Sequence, residues 1–94
     1  MQVTRVKVRL SGEDVVKACV DIVLDDCIVV HGLRLIRHST GYLLALPTKK
    51  HRNGKAYDVA FPTTNEARRM IEEAVMAEYH KLTGQTVSLS QGLI

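Results

Sequence analysis

From Val3 to Leu10 polar and apolar positions alternate: Thr4, Val6, Val8 and Leu10 fall on one side, Val3, Arg5, Lys7 and Arg9 on the other. A period of two predicts a half-buried strand. A Ser-Gly-Glu-Asp turn at 11–14 leads to a second strand over 15–24, rich in β-branched residues. Its core face carries Val16, Ala18, Val20, Ile22 and Leu24, while Lys17 and Asp21 share the other. Asp25-Asp26 reads as a two-residue turn into a third strand over 27–37, and Gly32 within it predicts a bulge or a close backbone approach. On that register Leu24 pairs with Cys27, and Cys19 faces Gly32. A turn at 38–41 precedes a fourth strand over 42–46, which Pro47 ends. Residues 48–55 read as a loop with the turn dipeptide Asn53-Gly54, and 56–61 as a short fifth strand closed by Pro62.

The period then changes. Ala67, Met70, Ile71, Ala74, Val75, Tyr79 and Leu82 recur at helical spacing and mark one apolar face. Thr63 and Glu66 have capping-box spacing, and Gly84 supplies a stop. Residues 85–94 show little pattern and are expected to form a flexible C-terminal tail after a single domain over 1–84. An antiparallel sheet of about five strands followed by one long C-terminal helix gives an α+β domain. One helix covers one face of a sheet, so the other face is left for water, a ligand or a second copy.

The 94 residues, 46% hydrophobic and 24% charged, exclude a mostly disordered chain, a collagen-like fibre and a disulfide-dense miniprotein. A chain of this length buries only ~60–65% of its unfolded surface, so a homodimer is a natural supplement to its core. The net charge of +3 is unevenly spread: residues 1–55 hold ten Lys/Arg against five Asp/Glu, and residues 56–94 hold three against five. The basic first half points to an anionic partner. Two cysteines offer no disulfide framework, and the N-terminal residues lack an apolar signal core. No apolar run approaches the ~18–20 residues that span a bilayer. The expected setting is cytoplasmic, with no membrane partner and with Cys19 and Cys27 as free thiols.

The densest charge is Lys49-Lys50-His51-Arg52-Asn53-Gly54-Lys55, four cations and a histidine in seven residues, whose tight turn would push the side chains outward together. Clustered Lys and Arg hold phosphates by charge and counterion release, without reading sequence. Otherwise such a run is a solvated hairpin tip. Arg5, Lys7 and Arg9 form a second row, ~6.7 Å apart along their strand and close to the phosphate spacing of an extended single strand. Such rows also keep a sheet soluble. Aromatics are few, three Tyr and one Phe: Tyr57, beside the basic run, could stack on a base, but Tyr79 falls on the helix's apolar face and reads as core, so backbone binding is favoured over a base-stacking platform. His31 could serve as a general base oriented by Asp21, Asp25 or Asp26, yet no nucleophile elbow, phosphate loop or paired-carboxylate motif accompanies it. Cys19, Cys27, His31 and His38 lack the short spacings that gather ligands on one ion. No catalytic residue, metal, cofactor or small-molecule substrate is expected.

Leu24-Asp25, then Val29-Val30-His31 and Leu33-Arg34-Leu35-Ile36, are similar to an LD…VVHDIRVI stretch, and Gly41-Tyr-Leu-Leu-Ala-Leu-Pro-Thr-Lys-Lys50 to GLFVAMPSKR. Asn53-Gly54, Asp58 and Pro62 are similar to a following DG…RD…HP segment, and Ile71, Ala74-Val75 and Glu78-Tyr79-His80 to a helix. In this order and at nearly unchanged spacing, over about residues 1–82, they resemble the stage V sporulation protein G (SpoVG) family of small bacterial proteins. The resemblance implies a dimeric α+β domain acting as a DNA- and RNA-binding regulator, linked to sporulation and division septum formation. By position, Lys49 and Lys50 match the family's Lys-Arg pair, and Arg34 and Arg68 its strand and helix arginines. Tyr57 stands where the family usually has arginine, Gly32 replaces an acidic residue, and Phe61 sits where histidine is common.

The expected function is sequence-tolerant DNA and/or RNA binding through phosphate contacts by a homodimeric regulator. Lys49, Lys50, Arg52, Lys55, Arg34, Arg5, Lys7 and Arg9 are the candidate nucleic-acid-binding residues. The alternative is a protein-interaction factor in septation without direct nucleic-acid binding. A third reading, an enzyme using His31 and an aspartate, requires a pocket around His31.

Overall fold

The computed structural model describes residues 1–39 and 41–84, so the expected tail at 85–94 lies outside the described residues. The elements in chain order are β1 (Val3–Leu10), β2 (Val16–Leu24), β3 (Ile28–His38), β4 (Gly41–Ala45), β5 (Thr48–Lys50), β6 (Ala56–Asp58) and α1 (Asn65–Thr83). β1 to β4 form one antiparallel sheet in sequence order, and β5 and β6 pair with each other as a separate ribbon. The architecture is α+β, but the expected sheet of about five strands is four strands plus a two-stranded ribbon. Pro47 offers no N–H to continue the β4 ladder, and the Asn53-Gly54 turn folds 56–58 back onto 48–50. For the same reason 48–50, expected as loop, is strand. The Val59 N–H donates to the Pro47 carbonyl at 2.7 Å and closes the base of the ribbon.

The β2–β3 turn is the expected pair, Asp25-Asp26. Both take left-handed φ angles (50° and 54°), and the Cys27 N–H donates to the Leu24 carbonyl at 2.9 Å. These are the marks of a primed hairpin turn. β1 pins the turn, since the Gln2 N–H donates to Asp25 Oδ1 at 2.7 Å and the Asp26 N–H to Thr4 Oγ1 at 2.9 Å. The ladder nevertheless pairs Leu24 with Ile28, which makes Cys27 an extra residue. A second extra residue follows between the Ile22–Val30 and Val20–Leu33 pairs, where Asp21 alone opposes His31 and Gly32. This is the bulge that Gly32, at φ 88°, predicts. The two insertions bring Cys19 opposite Arg34 instead of Gly32, and both cysteines are free thiols.

The core lies between α1 and one face of the sheet. Ile71, Val75 and Tyr79 are buried against Ala18, Val20, Ile22, Leu33, Leu35, Leu44 and Leu46. β1 adds Val6 and Val8, and an irregularity between Val3 and Arg5 turns Val3 inward as well. Leu10 and Leu82, expected on the apolar faces, are 54% and 52% exposed. The helix begins one residue later than the sequence spacing predicts. Thr64, in extended conformation, is the N-cap, and its Oγ1 accepts the Ala67 N–H at 3.1 Å. Glu66 then sits in the first turn, favouring the positive end of the helix without closing a reciprocal box. Gly84 at φ 72° ends α1, its N–H donating to the His80 carbonyl at 2.8 Å. Among the described residues no helix is long and apolar enough to cross a membrane.

Candidate functional site

The β5–β6 ribbon carries the basic run. Its tip is tied by three hydrogen bonds: His51 N–H to the Lys55 carbonyl (2.8 Å), Gly54 N–H to the His51 carbonyl (2.9 Å) and Lys55 N–H to Asn53 Oδ1 (3.0 Å). Gly54 supplies the left-handed residue, φ 86°, that this turn needs. Lys49 lies opposite Tyr57 and Lys50 opposite Ala56. Strand alternation therefore sends the two lysines to opposite faces instead of outward together. Arg52 and Lys55 flank the tip. His51 stacks on Tyr57 with ring centroids 4.3 Å apart and planes 30° from parallel. All of these basic side chains are exposed. The two ion pairs among the described residues both involve Asp21, so Lys49, Lys50, Arg52 and Lys55 have no carboxylate.

The second candidate surface is the sheet face opposite α1. Arg5, Lys7 and Arg9 share it, opposite Val23, Asp21 and Cys19 of β2. Arg34 is half-buried across Cys19 on the far side, about 10 Å from the Arg9 backbone at ordinary strand spacing. The row is less electropositive than its sequence implies. Arg9 Nη1 donates to Asp21 Oδ2 at 3.1 Å, while Asp21 Oδ1 accepts the Gly32 N–H at 3.4 Å and lies 3.2 Å from His31 Nδ1. Burial pushes the Asp21 carboxyl up. The hydrogen bonds from His31 and Gly32 and the Arg9 charge outweigh it, leaving the pKa below its ordinary 3.8.

Of the three aspartates considered as partners for His31, the fold selects Asp21; Asp25 and Asp26 belong to the turn. The His31 side chain is 77% exposed, so the ring stands in water and the pair holds the bulge in register. A carboxylate with a depressed folded-state pKa stabilises the fold above its unfolded value and loses that contribution as pH falls through the folded one. For Asp21 that loss falls below pH 3.8. Asp21→Asn is expected to cost about 1–3 kcal/mol at neutral pH, because a buried bonding site is left imperfectly matched. In urea melts the variant should also lose less stability than the wild type on further acidification. Equal acid losses in the two proteins would assign the effect to other carboxylates.

On α1, Arg68 is half-buried and its Nε finds no acceptor. Burial raises the neighbouring Glu72 carboxyl above its ordinary range, and the Arg68 charge offsets this only in part. Among the described residues no group of three His, Cys, Asp or Glu side chains could hold a metal ion. An apolar hollow of about 150 Å³ opens beside the ribbon's base, between Leu24, Val30, Pro47 and Phe61. The His51–Tyr57 stack is the feature that sequence reasoning missed. Its signal was the near-symmetric placement of the two rings about Asn53-Gly54, which a loop assignment concealed.

Fold and surface together define a small α+β domain that presents a basic ribbon beside a charge-laced sheet face. A family model described as SpoVG matches residues 1–81. The chain belongs to the SpoVG family. It is 43% identical over 81 residues to the "Putative septation protein SpoVG" of Bdellovibrio bacteriovorus, covering 86% of this chain and 75% of the relative. The protein of the same name in Anaeromyxobacter sp. strain Fw109-5 is 40% identical over 81 residues, 86% of this chain and 84% of the relative. That of Phytoplasma australiense is 35% identical over 88 residues, 93% and 92% of the two chains.

Proposed function

We propose that the protein is a homodimeric, sequence-tolerant DNA- and RNA-binding regulator that acts in the cytoplasm in division septum formation and sporulation. The observation that carries the binding is the ribbon: four exposed cations on its first strand and its hydrogen-bonded tip, none in an ion pair among the described residues. Phosphates are the partner that such a surface fits, because positioned Lys and Arg gain by releasing condensed counterions. Arg5 and Lys7 extend the surface, and Arg9 contributes less because Asp21 already binds it. The name of the relatives supports the septation link. The unpaired outer edges of β1 and β4 support a second copy.

Electrophoretic retardation of DNA and RNA probes over a salt series, on protein sized by light scattering, tests the reading. Two chains per particle are expected. The plot of log affinity against log salt should fall by about 0.9 per phosphate contact on duplex DNA and about 0.7 on single strands. Binding that ignores salt, or none to any probe, favours the protein-interaction reading. Particles of one chain would remove the dimer.

A further inference from the structure

We infer that the ribbon takes single-stranded nucleic acid, with an unpaired base stacked on the ring of Tyr57; this rests on the nucleic-acid-binding reading above. The face that carries Tyr57 also carries Lys49 directly opposite it and His51 stacked against it. Tyr57 remains 42% exposed even with His51 stacked against its ring. The contrast is with Tyr42 and Tyr79, whose rings meet at 6.0 Å and 57° at the edge of the core, with Tyr79 only 4% exposed. That pair contributes to folding. The His51–Tyr57 pair stands on the ribbon, outside the buried core cluster.

A ring flanked by cations selects for strandedness. In a duplex both faces of each base are covered by its neighbours, so only a base without a partner can leave the stack and settle on a side chain. A directly opposed strand pair sets Lys49 about 5 Å from Tyr57 at Cβ, within reach of the phosphate of a nucleotide whose base covers the ring. The hydrogen bonds across the tip hold Arg52 and Lys55 for the next phosphates. Stacking on a ring is indifferent to base identity, which agrees with sequence-tolerant binding.

The test compares a thymidine dodecamer with its duplex at matched salt, by fluorescence anisotropy. Tyr57→Ala is expected to weaken the single strand roughly 5- to 100-fold. Duplex affinity and the salt slope on both probes should be unchanged, because no phosphate contact is lost. The chain has no tryptophan, so Tyr57→Trp places a sole indole at the site; it should restore single-strand affinity and be quenched by the dodecamer. A Tyr57→Ala variant that binds the dodecamer as tightly as wild type, or that loses both probes equally, overturns the inference while salt-dependent binding stands. Failure of the wild type to bind either probe overturns the binding reading and this inference with it.

Discussion

Replacing Lys49, Lys50, Arg52 and Lys55 together by alanine is expected to lower duplex affinity by roughly 10³-fold at 0.1 M salt, through lost counterion release. The four side chains are exposed, carry no carboxylate partner among the described residues and stand on one short ribbon. If each neutralises one phosphate, the slope of log affinity against log salt flattens by about 3 to 4 on duplex DNA. The fall should be similar for every probe sequence, since phosphates carry no base identity. Melting temperature should change little, because exposed charges of this kind contribute little to stability. The informative control is the sheet face. If the quadruple variant keeps wild-type affinity and slope while Arg5, Lys7 or Arg9 substitutions abolish binding, the ribbon is not the phosphate surface.

Leu35→Ala is expected to cost about 2–5 kcal/mol, the range for a buried leucine whose site cannot collapse. Leu35 is fully buried and lies in the sheet interior, opposite Ala18 on one side and Leu44 on the other, beneath α1. Against a total stability of about 5–15 kcal/mol for a domain of this kind, one such cavity is a large share. The midpoint should fall by roughly 10–30 °C for a chain of this size. Thermal melts by circular dichroism check this, with Phe61→Ala as the comparison. Phe61 is 61% exposed, and its truncation should move the midpoint by no more than a few degrees. Equal losses in the two variants would mean that Phe61 is packed in solution, as an interface between copies would require.

The alternation along β1 and β2 and the helical stripe ending at Tyr79 were legible because each reports only which side of an element meets the core. The same local logic identified Asp25-Asp26 as the turn, Gly32 as a bulge, Gly84 as the helix end and the basic run as the densest charge. What the sequence by itself determined, then, was the α+β composition, most of the core and the location of the phosphate-binding candidates. Register and partnership were decided only by the tertiary structure. Two extra residues between β2 and β3 moved Cys19 from Gly32 to Arg34 and placed Asp21 against His31, Gly32 and Arg9. Pairing 48–50 with 56–58 turned Lys49 and Lys50 to opposite faces and brought His51 onto Tyr57. The physical reason is that a strand's pattern is the same in any register, and a short strand carries no mark of which neighbour it will pair with. Ladder geometry, the missing N–H of Pro47 and the competition among hydrogen-bond partners settle those choices, and they act between segments distant in the chain.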